Sequence, residues 1–231
     1  MCGRFFLSRS GAEVMQHFTL AEEPVLAPRY NIAPTQAVPV VRQRMRNAER
    51  VLELRRWGFD PGFGQAARSG PRPINARAET LATQPLFRAA FASRRGLVPA
   101  DGFYEWQHRG RSARPFAVRV RGGALFAMAA LHARREDETG GVDSFAIVTT
   151  AANERIAAIH DRMPVILAPE DYAAWLDPAQ CDLAALASLL RPCPAEWTES
   201  YPVDRRVNDV RCDDPTLPEP ERDLFSLGGA V

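Results

Sequence analysis

Cysteine stands at position 2, followed by Gly3 and Arg4. A small second residue generally permits loss of the initiator methionine, which would leave Cys2 first, with an α-amine and a thiol two carbons apart. Such an amine has a pKa of about 8, against about 10.4 for a lysine, so a useful fraction is neutral near pH 7. An aldehyde can condense with that amine to an imine, and attack by the thiol then closes a five-membered thiazolidine ring. The ordinary fate of a free cysteine, a small buried apolar residue, is also open to Cys2. All 29 basic residues of the Lys-plus-Arg count are arginine. Compositional bias accounts for the missing lysine, but the chemical consequence holds: imine chemistry in this chain has to use the N-terminal amine.

Three further segments bring together groups that could serve such chemistry. Asn75, Arg77 and Glu79 are closely spaced where a strand or loop leads into an expected helix. An amide can hold an amine or a sugar oxygen, and a guanidinium can fork onto a phosphate; a helix cap with a surface ion pair fits the same spacing. In Phe103-Tyr104-Glu105-Trp106-Gln107, strand alternation puts Phe103, Glu105 and Gln107 on one face and Tyr104 and Trp106 on the other. A carboxylate among aromatics has its pKa raised and can transfer protons; a solvent-facing Glu on an amphipathic strand is the alternative. His160 lies beside Asp161 and Arg162 between a short helix and a strand, where it could shuttle protons, pair with a cysteine nucleophile, or simply cap the turn.

The elements that must position these groups are short. Spaced apolar residues predict a helix over 10–18, and β-branched alternation predicts strands at 37–42 and 51–57. Glycines and prolines between 60 and 73 mark a loop. Thr80 is placed as the cap of a helix reaching Ser93. Strands are expected near 97–99, 103–107, 115–120, 124–131, 144–150 and 163–167, with short helices after Asn153 and near 169–176 and 182–191. This pattern predicts an α+β single domain with a mostly antiparallel, barrel-like β-sheet and flanking short helices. The domain is expected to span 1–212, and the Pro- and acid-rich tail 213–231 to be poorly ordered.

Composition is that of an ordinary globular chain, 46% hydrophobic and 25% charged. No secretory leader or membrane span is expected. The four cysteines form no CxxC pair, so no metal site or disulfide framework is expected, and a reducing cytoplasm is the expected compartment. The net charge of +1 conceals a separation: residues 1–135 carry 22 Arg and 9 acids, residues 136–231 carry 7 Arg and 19 acids. The basic half could attract a polyanion, or the two halves could interleave on the folded surface.

Taken in order, several stretches closely resemble the SOS-response-associated peptidase (SRAP) family. They are MCGRF at the start, YNIAPTQ at 30–36, RWGF at 56–59, INARAET at 74–80, LVPADGFYEW at 97–106, FAIVTTAAN at 145–153, IHDRMPVIL at 159–167 and YPVDRRVND at 201–209. The resemblance implies an abasic-site processing protein that removes its own Met1 and captures the ring-opened deoxyribose as a thiazolidine on Cys2. It implies that Asn75 orients the amine and sugar, that Glu105 transfers protons in Met1 release, imine formation and reversal, and that His160 assists sugar ring opening. Arg4, Arg77 and Arg162 would contact phosphates, Trp106 and Thr149 would flank the nucleotide, and Pro34 and Phe63 would stand at the wedge against duplex DNA. No cofactor is implied. The implied partner is single-stranded DNA containing abasic sites, with single-strand/double-strand junctions as candidate targets. The protein is expected to act as a monomer, cytoplasmic and nucleoid-associated when bound, with an AP-lyase side activity open to it. Two departures are Phe63, where some relatives carry tryptophans, and Gly96, where relatives often carry cysteine. Two other functions fit the residues: a cysteine peptidase or amidohydrolase acting on other proteins, and a non-covalent single-stranded DNA-binding module.

Overall fold

The computed structural model describes residues 2–45, 48–62, 71–136 and 140–221. Its strands are β1 Phe5–Leu7, β2 Arg29–Ile32, β3 Ala37–Gln43, β4 Arg50–Trp57, β5 Asn75–Arg77, β6 Arg95–Ala100 and β7 Gly102–Arg109, then β8 Ser112–Val120, β9 Phe126–Arg135, β10 Val142–Ala151, β11 Arg162–Pro164, β12 Ile166–Leu167 and β13 Thr198–Pro202. The helices are α1 Gly11–Phe18, α2 Pro85–Ser93, α3 Glu154–Ala157, α4 Tyr172–Leu176 and α5 Leu183–Ser188.

Two sheets share the work. The first is antiparallel, in the order β13-β8-β7-β1-β2. In the second, β10, β4, β3, β6 and β9 pair in turn, and β9 pairs back onto β10, closing a five-stranded ring. Closure leaves no free edge in the ring, which removes the liability of unpaired backbone groups. Around the ring only the β4–β10 contact is parallel. Beyond its barrel contacts, β10 pairs in parallel with β5 and antiparallel with β11. The chain is thus an α+β domain with a barrel-like, mostly antiparallel sheet and a few short helices, as the sequence predicts.

Residues next to each other on β1 explain how the sheets join. Alternation sends Phe5 into the main core and Phe6 to the opposite face of its sheet. The Phe5 ring meets Trp57 of the barrel edge-on at 5.3 Å, and Trp57 stacks on Phe145 at 6.2 Å. Phe6 instead packs with Tyr104, Ala117, Val203, Val207 and Leu217 in a smaller cluster. At the pairing of Phe6 with Gly102, a Cβ on the glycine would sit 2.3 Å from the Phe6 ring and 2.8 Å from the Val118 carbonyl. Only glycine lets β1 lie this close to β7.

Local expectations hold in part. Ser10 caps α1 through a reciprocal capping box with Glu13, and Asn153 caps α3. The helix expected from Thr80 begins instead at Pro85, whose ring suits a first helical position; Ala78–Thr80 forms a 3-10 turn. The strand expected over 163–167 is two, because Arg162–Pro164 pairs with β10 and Ile166–Leu167 crosses to β9. The packed body does not stop at residue 212. Leu217 is fully buried in the second cluster, Tyr201 donates to the Pro218 carbonyl at 2.9 Å, and Val203 bridges Pro220. Apolar burial therefore holds the chain down to Glu221, and residues 222–231 lie outside the described part.

Candidate active site

The site grows from the far end of β10. Opposite Ile147 and Thr149 lie Asn75 and Arg77 of β5. The residue before Asn75 is fixed to the barrel wall, since Trp57 Nε1 donates to the Ile74 carbonyl at 2.9 Å. From this rigid edge Asn75 Nδ2 donates to the carbonyl of Cys2 at 2.9 Å. Its Oδ1 is buried without a hydrogen-bond partner. A buried acceptor left open is costly, and its presence points to a donor supplied from elsewhere.

Cys2 is fully buried against the main core. Burial, then the negative charge of Glu105, push its thiol pKa well above the ordinary range; the positive chain start and the Arg4 amide pull the other way. Glu105 is 2% exposed, so the solvent-facing alternative for this residue is corrected. The alternation along β7 explains it: Phe103 lies in the main core, while Tyr104 and Trp106 line the second cluster. Burial raises the Glu105 pKa, opposed by the positive charge at the chain start and by His160.

Gln107, next on the Glu105 face, donates to the Ala158 carbonyl at 2.8 Å and ties β7 to the turn that carries His160. The His160 ring is set by its neighbour: the Arg162 amide donates to Nδ1 at 2.9 Å. An accepting Nδ1 leaves the proton of the neutral ring on Nε2. Asp161 also lies 2.9 Å from Nδ1, but that nitrogen cannot donate to a carboxylate while accepting an amide, and Asp161 is exposed.

The other expected residues fall into three groups. Arg4 and Trp106 are together: the guanidinium lies 5.8 Å from the indole centroid. Arg4 Nη1 donates to Asn31 Oδ1 and the Val207 carbonyl, both at 2.8 Å. Thr149 is buried, and Arg162 Nη2 donates to its carbonyl at 2.7 Å. Arg162 also makes a two-pronged ion pair with Glu79 at 2.7 and 3.0 Å, a commitment the sequence did not reveal. Arg77 is exposed at the end of β5. Pro34 is half-buried in the turn between β2 and β3, next to Thr35 at φ 73°, a left-handed conformation that is strained for a β-branched residue. Phe63 lies outside the described residues.

Residues 1–210 match the SOS response associated peptidase (SRAP) family. The chain belongs to the SRAP family. Across 224 residues it is 37% identical to the abasic site processing protein YoqW of Bacillus subtilis, covering 95% of this chain and 99% of that protein. It is 30% identical over 220 residues to the abasic site processing protein YedK of Escherichia coli, covering 91% and 96%. Among solved structures, a Bacteroides thetaiotaomicron protein superposes with a TM-score of 0.83 at 26% identity, covering 96% of the SRAP chain and all of that protein.

Within this SRAP chain, sequence reasoning gave no role to Asn31 and Asn208, which the structure ties to Arg4 and Trp106. Asn31 and Asn208 lie inside the 30–36 and 201–209 stretches, which was the available signal. Their partners are distant in sequence, and nothing local points to them.

Proposed function

We propose that this chain processes abasic sites in single-stranded DNA, using Cys2 as a two-atom nucleophile once Met1 is gone. The names carried by its relatives support the substrate. The observation that carries the chemistry is the open Oδ1 of Asn75, held beside Cys2 by the Asn75–Cys2 hydrogen bond. That acceptor suits the N–H of a freed α-amine or a sugar hydroxyl.

In the first step one water is consumed, the Met1–Cys2 peptide bond breaks, and methionine leaves with a carboxylate while Cys2 keeps the amine. Glu105, kept protonated to higher pH than an ordinary carboxyl, is suited to donate to the departing nitrogen. The abasic deoxyribose must open to its aldehyde: the bond from C1 to the ring oxygen breaks, the Nε2 proton of His160 can pass to that oxygen, and the C1 hydroxyl proton returns through solvent to the imidazole as the carbonyl forms. The neutral amine then adds to the aldehyde carbon, the hydroxyl so formed takes a proton from Glu105 and leaves as one water, and the proton lost from nitrogen returns to Glu105. Finally the Cys2 sulfur bonds to the imine carbon and the thiol proton ends on nitrogen, giving the thiazolidine with no change of oxidation state. Reversal follows the same steps backwards. The imine also acidifies the neighbouring sugar carbon, which opens a strand-cleaving elimination as a side reaction.

Binding of a backbone is favoured by charge, since residues 42–121 carry 17 Arg and 6 acids. Arg4, Arg77 and Arg162 would take phosphates, Trp106 and Thr149 the adjoining nucleotide, and Pro34 with Phe63 the junction with duplex. The protein would work as a monomer in the cytoplasm, joining the nucleoid through DNA. A cysteine peptidase acting on other proteins is less well supported: it would need an activated thiolate, and burial pushes the Cys2 thiol pKa up.

Mass spectrometry before and after incubation with an abasic oligonucleotide tests the reading. The expected result is loss of the Met1 mass, then a denaturation-resistant adduct, with none from Cys2→Ser or from a chain with an uncleavable N-terminal extension. Wild-type adduct yield from either variant would overturn it. Salt-sensitive binding that survives Cys2→Ala and leaves no adduct even with the wild type would favour a non-covalent binding module.

A further inference from the structure

Two stretches that supply none of the reacting groups, 30–36 and 201–209, meet at Asn31. This residue is fully buried on β2. Its Nδ2 faces three main-chain carbonyls of one loop: Cys212 at 2.7 Å, Asp209 at 3.0 Å and Val207 at 3.3 Å. Two hydrogens meet three acceptors, so the longest contact is shared. On its other side Asn31 Oδ1 accepts from Arg4 Nη1 at 2.8 Å, and the same Nη1 also reaches Val207. The loop has a second grip through Asn208, whose Oδ1 accepts from Trp106 Nε1 at 2.8 Å.

The choice of an amide at Asn31 has an electrostatic meaning. Both acceptors that hold Arg4 are neutral, and among the described residues no carboxylate pairs with it. Its Nε has no partner. The guanidinium is therefore held by Nη1 and by the Trp106 ring face at 5.8 Å, with no carboxylate to cancel its charge, two residues from Cys2. An arginine prepared in this way fits a phosphate oxygen. Aspartate at position 31 would offer the same oxygen to Arg4, but it would cancel the charge and face three carbonyl oxygens.

We propose that Asn31 and the 207–212 loop form a positioning device for the DNA backbone. Asn31 holds Arg4 with its charge intact, Asn208 fixes the Trp106 ring, and together they seat a phosphate and the adjoining nucleotide before the aldehyde reaches Cys2. This rests on the proposed role of Arg4 and Trp106 in DNA contact. Neither asparagine touches the reacting atoms; both act through a neighbour.

The test uses the full chain, an unmodified single-stranded oligonucleotide for affinity across a salt series, and an abasic one for adduct rate. Asn31→Asp is expected to weaken binding about tenfold and to lower the slope of log affinity against log salt by about 0.7, the value for one lost single-strand phosphate contact. Asn208→Ala is expected to raise the DNA concentration for half-maximal adduct rate several-fold while the rate at saturation stays within about twofold. Asn208→Asp keeps the acceptor for Trp106 and is expected to restore the wild-type value. Wild-type affinity and salt slope in Asn31→Asp, or an Asn208→Ala defect that Asn208→Asp leaves unrepaired, would overturn the device. If Asn31→Asp does not fold, the Asn208 pair decides alone. Failure of the abasic-site reading looks different: the wild type itself then forms no adduct, and the affinity arm with unmodified DNA still decides.

Discussion

Asn75 and Cys2 are joined by one hydrogen bond of 2.9 Å, from the Asn75 side chain to the Cys2 carbonyl, although they are 73 positions apart. The bond fixes the backbone of Cys2, the proposed nucleophile, while leaving the side-chain oxygen of Asn75 open. Replacing Asn75 by Ala removes both functions. Misplacement of reacting atoms by about 1 Å can cost about 100-fold in rate, so the adduct rate of Asn75→Ala should fall by about that factor. The fold should persist, because Ile74 remains tied to Trp57. Time courses on denaturing gels, with melting curves as the fold control, would check it; a rate within threefold of wild type would remove Asn75 from the mechanism.

Glu105 is held in the core with its pKa raised. A carboxyl that binds its proton more tightly folded than unfolded contributes stability below its unfolded pKa, and that contribution is lost as pH rises through the folded value. Glu105→Gln should therefore abolish adduct formation and raise the melting temperature, by more at pH 8 than at pH 4. For a chain of this size a gain of about 1 kcal/mol would appear as roughly 2–4 °C. Thermal melts at the two pH values would show it, and an equal shift at both would contradict the assigned cause.

Arg162 is engaged by Glu79, so under the proposed role of Arg162 a phosphate would have to displace a carboxylate. Glu79 is half exposed, and such pairs contribute at most about 1 kcal/mol. Glu79→Gln should tighten binding of unmodified single-stranded DNA by roughly two- to fivefold at low salt, an advantage that shrinks as salt is added. Fluorescence anisotropy is sufficient; weaker binding would show that the pair organises Arg162 for DNA instead of withholding it.

The closeness of Gly102 to Phe6 leaves no space for a methyl group. Overpacking of this kind costs about 1–3 kcal/mol, so Gly102→Ala should lower the midpoint of urea denaturation and slow adduct formation, since β1 carries the chain toward Cys2. An unchanged midpoint would mean that the strands separate easily.

Strand alternation placed Glu105 on the face it occupies, and the ordered motifs brought Cys2, Asn75, Glu105 and His160 into one neighbourhood. Other features were not legible. β1 and β2 are three and four residues long, too short for periodicity to register. The start of α2 at Pro85 was obscured by Thr80, an acceptable cap whose turn closes as a 3-10 segment instead. The engagement of Arg162 by Glu79 and the convergence of the 207–212 carbonyls on Asn31 depend on contacts across 83 and about 180 positions. Local pattern contains no information about such pairs.

β10 closes the barrel with its first half, against β9 and β4, and carries β5 and β11 on its second. The candidate site is therefore built on the same strand that closes the barrel. Opening of the ring would release β5 and β11 together, so the Asn75 and Arg162 ends of the candidate site share one support, and loss of that support should reach both at once.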